Sequence, residues 1–197
     1  MIRILAGAYK GRSLLSPPPG SQTRPFTGAA RKSLLDTLGA RLDGATVLDL
    51  YCGTGTMGLE ALSRGAAWCG FAERDRAVLQ RLRRNIEIVG AQGRCLVWAG
   101  DVAKDLPTWL ADLDGPVDIA FVDPPYAQVR RWGWPEAAKR IFAPLGERLS
   151  AGGLVVLRAP TDAPMPERIG PLAVERRRQY GNMLVTLLRY DSREEGT

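Results

Sequence analysis

Val47-Leu48-Asp49-Leu50-Tyr51-Cys52-Gly53-Thr54-Gly55-Thr56-Met57-Gly58 reads as a buried strand, a glycine loop and the start of a helix. Glycines at 53 and 55 permit a tight turn and let a ligand approach bare backbone. Glu73, 20 residues beyond Gly53, ends a second strand-like run, where an acid can accept from a ribose diol. From residue 45 onward strands and helices alternate, the signature of a parallel sheet covered on both faces. Strands are expected near 46–51, 68–73, 94–99, 117–122 and 153–158, and helices near 55–64, 75–89, 102–111 and 134–149. The Pro-rich segment 160–171 reads as a loop. Two last strands, near 172–178 and 183–190, flank the turn Gln179-Tyr180-Gly181-Asn182, so the sheet should end antiparallel. Upstream, residues 2–15 read as a short hairpin, Pro17-Pro18-Pro19-Gly20 as a stiff linker, and Thr27 as the N-cap of a helix. The expected division is a basic hairpin and linker (1–22), one α/β domain (23–190) and a disordered polar tail (191–197).

The glycine pattern with Glu73 also matches a dinucleotide fingerprint, so it leaves the ligand open. Asp49 narrows the choice. Beside a pyrophosphate, at about 4 Å, its charge would repel by about 4 kcal/mol at an effective dielectric near 20. A cationic amine or sulfonium would be favoured there instead. S-adenosylmethionine fits: it offers a ribose to Glu73, an ammonium to Asp49 and no phosphate. Asp101, ending the third strand, adds a carboxylate placed to accept from the adenine amine.

The run Val117–Val122 reads as a buried strand, and Asp123-Pro124-Pro125-Tyr126 closes it, at the end where open α/β sheets bind ligands. Two prolines supply no N–H and fix φ near −65°. The turn is therefore stiff and rich in acceptors, suited to gripping an amino group on a flat ring while Tyr126 stacks on its face.

The chain of 197 residues has no histidine, which removes the commonest general base and metal ligand. Cys52, Cys69 and Cys95 have no metal-ligand or redox spacing, so no metal is expected; Cys69 and Cys95 read as small core residues. No apolar stretch approaches the ~20 residues of a membrane span, and the first residues lack a secretory signal. A cytoplasmic monomer with no membrane association is expected. Net charge is +6, and six of the 27 basic residues (Arg3, Lys10, Arg12, Arg24, Arg31 and Lys32) precede the first acid, Asp36, leaving 21 against 21 acids. A one-signed segment of this kind is the footprint of a phosphate-binding surface. Arg24 and Arg31 are expected at the mouth of the site, with Lys10 and Arg12 extending the track. Arg176, Arg177 and Arg178 form a lesser cluster, because alternation puts them on different faces.

With these residues in place the chain resembles the RsmD family of small-subunit (16S) ribosomal RNA guanine-N2 methyltransferases. The likeness lies in IRILAGAYKGR at 2–12, Thr23-Arg24-Pro25, VLDLYCGTGTMGLEALSRGA at 47–66, Phe71-Ala72-Glu73, Gly100-Asp101, FVDPPY at 121–126 and Arg178-Gln179-Tyr180-Gly181. The resemblance implies a Rossmann-like class I methyltransferase fold: a mostly parallel seven-stranded sheet, helices on both faces, a C-terminal antiparallel hairpin and a small N-terminal β-hairpin. It implies S-adenosylmethionine as cofactor, bound by Asp49, Tyr51, Cys52, Gly53, Thr54, Gly55, Glu73, Arg74, Asp101 and Val102. Catalysis would fall to Asp123, Pro124, Pro125 and Tyr126, and the partner would be ribosomal RNA, in the small subunit or an assembly intermediate. Gly28, Ala29 and Lys32 stand where the family pattern has an acid, a base and a glutamate, which leaves the methylated nucleotide open.

Three other readings compete. An adenine-N6 DNA enzyme would usually carry a larger target-recognition domain, and a protein-glutamine enzyme would not need the basic segment. A nicotinamide-dependent oxidoreductase fits the glycines but not Asp49. A non-catalytic RNA-binding assembly factor would not need an intact Asp123-Pro124-Pro125-Tyr126.

Overall fold

A computed structural model describes residues 2–20 and 26–190. Its main sheet contains β3 (Thr46–Leu50), β4 (Trp68–Glu73), β5 (Cys95–Ala99), β6 (Val117–Val122), β7 (Leu149–Pro160), β8 (Arg168–Ile169), β9 (Leu172–Tyr180) and β10 (Met183–Tyr190). Their spatial order is β5-β4-β3-β6-β7-β10-β9-β8. The strands from β5 to β7 pair in parallel, while β10 lies antiparallel between β7 and β9. The chain winds one way from β3 through β4 to β5, then returns to place β6 on the other side. The crevice beyond the C-terminal ends of β3 and β6 is therefore the switch point where such sheets bind ligands.

Alternation along the strands builds two cores. Val47, Ile119, Phe121, Val156 and Val185 face one, under α1 (Gly28–Leu38), α2 (Thr56–Ser63) and α3 (Arg76–Val89). Leu48, Leu50, Ala120, Val122 and Leu157 face the other, under α4 (Val102–Ala111), α5 (Tyr126–Val129), α6 (Trp134–Ala137) and α7 (Ala143–Arg148). Thr27 caps α1 as expected, its hydroxyl accepting from the Ala30 N–H at 3.2 Å.

The sheet has eight strands among the described residues, not seven. Arg168 and Ile169 pair with Ala173 and Leu172, inside the segment expected to be loop; a two-residue strand is too short to show a period. β7 also starts earlier than expected, because Gly152-Gly153 sits inside the strand rather than before it. The helix expected at 134–149 is broken into α6, a π-helical turn at Ala138–Phe142, and α7. Pro144 explains the break: it has no N–H for an i−4 bond, and the preceding Ala143 N–H reaches back to the Ala138 carbonyl instead.

The N-terminal hairpin is not an appendage. β1 (Ile2–Arg3) and β2 (Ser13–Leu14) pair antiparallel, and the hairpin's Ile4 and Leu14 are buried in the first core. The Leu5 and Ala6 N–H groups donate to the Glu60 carboxylate at 2.9–3.0 Å. The Ala8 N–H donates to the Ser63 carbonyl at 2.7 Å, and the Asn85 side chain brackets the Leu15 backbone. At Gly7 (φ +79°) a Cβ would stand 1.7 Å from the Ser63 carbonyl oxygen, so this close approach requires glycine. Residues 2–20 thus share the core of the main domain. Residues 21–25 and 191–197, covering part of the expected linker and the tail, lie outside the described residues.

Candidate active site

A cavity of about 860 Å³ lies beyond the C-terminal ends of β3, β4 and β6. Pairing of Leu50 with both Ala72 and Val122 brings the ends of the three strands side by side. Asp49, Tyr51, Cys52, Gly53, Thr54, Glu73, Arg74, Val102, Asp123, Pro124, Pro125 and Tyr126 all line the cavity. Gly55 and Asp101 do not.

Gly55 works from behind. It takes φ +78°, and a Cβ there would meet the Leu82 side chain at 2.3 Å. Gly58 lets α2 settle on β4, since a Cβ would lie 2.4 Å from the Phe71 ring. Tyr51 has φ +59°, the one non-glycine residue at positive φ among those described. That conformation is costly and clusters at functional sites. Its hydroxyl accepts from Gln128 at 3.2 Å, and burial pushes its pKa up to about 12.

Asp49 is buried, and its carboxylate accepts from the Gly58 N–H at 2.8 Å. Burial raises its pKa well above the ordinary carboxylate range, and the charges of Asp123 and Glu73 raise it further. A cation bound at this wall would oppose that rise and favour the charged form. Glu73 accepts from the Gly53, Arg74 and Asp75 N–H groups at 2.8–3.1 Å, so it fixes the loop as well as facing the cavity. Asp101 caps α4 through the Ala103 N–H and pairs with Arg74 at 3.4 Å. It holds the neighbouring Gly100 and Val102 against the cavity rather than lining it. Burial and the charges of Asp49 and Glu73 raise the Cys52 thiol, which disfavours its thiolate form.

Asp123 follows β6, its N–H donating to the Leu50 carbonyl at 3.2 Å. Its side chain keeps 21% exposure, toward the cavity, and burial pushes its pKa up to about 7. The opposing influence is Arg158, whose Nε lies 2.8 Å from the Asp123 carboxylate and favours the charged form. The Arg158 guanidinium also lies over Phe26 at 4.7 Å and Tyr126 at 5.4 Å. Sequence reading does not find Arg158. Its only signal is a charge near the end of the apolar run Leu154–Leu157, where burial demands a partner.

The basic segment divides. Arg3, Lys10 and Arg12 are exposed, although Arg12 also donates to the Ile88 carbonyl and lies over Tyr9. Lys32 is exposed and pairs with Asp36 one turn on. Arg31 corrects the expectation: it is 3% exposed, donates to the Arg3 carbonyl at 2.6 Å and pairs with Glu60 at 3.7 Å. Its partners are those of the fold itself. Arg24 lies outside the described residues. Among the described residues there is no cluster of three potential metal ligands, and no helix is long and apolar enough to cross a membrane.

Sheet order, glycine turn and an Asp-Pro-Pro-Tyr turn at the switch point together define a class I methyltransferase. Residues 2–189 match the family described as Conserved hypothetical protein 95. The chain belongs to that family, the RsmD family. A candidate rRNA methyltransferase of Bacillus subtilis (strain 168), YlbH, is 31% identical over 182 residues, covering 91% of this chain and 94% of that protein. Ribosomal RNA small subunit methyltransferase D of Escherichia coli (strain K12) is 40% identical over 126 residues, 64% of this chain and 60% of that protein. A solved hypothetical protein of Thermus thermophilus superposes with a TM-score of 0.78 at 30% identity, covering 96% of this chain and 99% of the other.

Proposed function

We propose that this protein transfers a methyl group from S-adenosylmethionine to the exocyclic N2 amine of a guanine in small-subunit ribosomal RNA. The observation that carries the reading is the Asp123 carboxylate, ionisable near neutrality, facing the same cavity as buried Asp49 and the loop-bound Glu73. Asp49 suits the ammonium of the cofactor and disfavours a phosphate, and Glu73 suits the ribose hydroxyls. When bound, S-adenosylmethionine supplies a methyl group made electrophilic by the sulfonium.

The guanine amine is a poor nucleophile because its lone pair is delocalised into the ring. Hydrogen bonds from that NH2 to the Asp123 carboxylate and the Pro124 carbonyl favour a pyramidal nitrogen and aim its lone pair. Catalysis is then mainly positioning and electrostatics. Asp123 or water takes the proton released as the amine is alkylated, and Tyr126 stacks on the extruded base, which is worth about 1–3 kcal/mol.

The deciding experiment offers radiolabelled S-adenosylmethionine with unmodified small subunits, naked rRNA and DNA, then maps the methylated base. Label on an adenine, or only on DNA, would overturn the assignment. Glu73→Ala should weaken cofactor binding by roughly 10–100-fold, from the loss of charged hydrogen bonds worth about 1.5–3 kcal/mol, with kcat at saturation changed much less. A titration that finds unaltered affinity would remove Glu73 from the cofactor site. Neutralising Lys10 and Arg12 together should lower the salt slope of RNA binding by about 1.4–1.8, two phosphate contacts' worth. An unchanged slope makes them bystanders.

A further inference from the structure

The turn Asp123-Pro124-Pro125-Tyr126 is tied to the end of β3 at two points. Pro124 and Pro125 have no N–H, so neither donates a backbone hydrogen bond. Before them, the Asp123 N–H donates to the Leu50 carbonyl at 3.2 Å. After them, the Gln128 N–H donates to the Pro125 carbonyl at 2.8 Å, and the Gln128 side-chain amide donates to the Tyr51 hydroxyl at 3.2 Å. The two ties thus land on consecutive residues, Leu50 and Tyr51, where the glycine loop begins. Tyr51 lines the cofactor cavity, sits at positive φ and packs against the core under α4 to α7. Burial keeps its phenol protonated, so its oxygen stays neutral and open to the amide through the neutral pH range. Gln128 itself does not line the cavity.

We propose that Gln128 is a positioning residue that couples the two halves of the site, fixing the glycine loop relative to the Asp123–Tyr126 turn through the Tyr51 hydroxyl. In-line displacement needs the methyl carbon and the amine nitrogen about 3–3.5 Å apart and aligned. The methyl donor rests on the Tyr51 side and the target amine on the Asp123 side, so the way these segments are joined sets that spacing. One backbone tie at Leu50 would leave the turn able to pivot, and the Gln128 amide supplies the second point. This role rests on the reading of the protein as an RNA methyltransferase.

Gln128→Met, of similar length but without a donor, should lower kcat by about tenfold, with S-adenosylmethionine affinity and KM for rRNA within about threefold of wild type. Tyr51→Phe removes the same bond from its other end and should lower kcat to a similar degree. The double variant should be no slower than the slower single variant, because the two side chains act as one unit. Gln128→Glu keeps the bond, with the Tyr51 hydroxyl now donating to the carboxylate, and should recover most of the lost kcat. A merely structural role would instead lower the thermal midpoint and the fraction of protein that binds cofactor, leaving kcat per bound cofactor unaltered. That result, losses that multiply in the double variant, or a Gln128→Glu enzyme as slow as Gln128→Met would refute the coupling while the methyltransferase reading stands. If the wild-type protein methylates no RNA at all, the functional reading falls and the coupling with it.

Discussion

Replacing Asp123 with alanine should lower kcat for methyl transfer by roughly 10²–10⁴-fold, the range for loss of a positioned acid–base group. Affinity for S-adenosylmethionine should be largely retained, because Asp49 and Glu73 remain in place. Equal loss of both would place Asp123 in the cofactor site instead. The pH dependence is a sharper test. A protonated Asp123 is a weaker acceptor for the amine and cannot take up its proton, so the rate should rise about tenfold per pH unit below about 7 and level off above it. Arg158 favours the charged form, so Arg158→Met should move that limb to higher pH. Asp123→Asn should abolish it. The sign for stability is opposite: a carboxyl raised to about 7 contributes stability below the ordinary carboxylate range, and this is lost as pH rises through 7. A wild-type rate profile flat between about pH 5 and 8 would refute the role assigned to this carboxylate.

Most of the site is local in sequence, which is why it is legible there. Asp49 through Gly58 and Val117 through Tyr126 are each a strand and the turn after it, so periodicity alone puts Asp49, Gly53 and Asp123 at strand ends. Glu73 follows by the same logic on β4. Arg158 and Arg31 are not legible because their meaning depends on partners far away in the chain, Asp123 and Glu60. A basic residue has no sequence mark that separates a solvated head group from a buried one. Sequence alone therefore groups Arg31 with the exposed cations of the basic segment, although it sits on the buried face of α1 with Leu34, Leu35 and Leu38. The LEALSRGA segment has meaning in sequence only by resemblance. In the fold its Glu60 and Ser63 are the groups that receive the N-terminal hairpin.

Glu60→Ala should cost about 3–5 kcal/mol of stability, the range for breaking a buried ion pair from one side. Glu60 is fully buried, and its carboxylate serves the Leu5 and Ala6 N–H groups together with Arg31 at 3.7 Å and Arg64 at 3.4 Å. Burial lowers the Arg31 pKa, Glu60 opposes that effect, and Arg64 adds to it, so without Glu60 a buried guanidinium faces a like charge. The urea midpoint should fall, and amide exchange at Leu5 and Ala6 should quicken more than exchange in β3 or β6. Adding Arg31→Met should recover part of the loss, since removing both charges leaves neither uncompensated. The effect should also reach the active site. Pro17 and Gly20, which continue from the hairpin, line the cofactor cavity, so a loosened hairpin removes part of its wall and S-adenosylmethionine should bind more weakly. If the midpoint falls while exchange at Leu5 and Ala6 is unaltered, Glu60 stabilises the core by some route other than the hairpin.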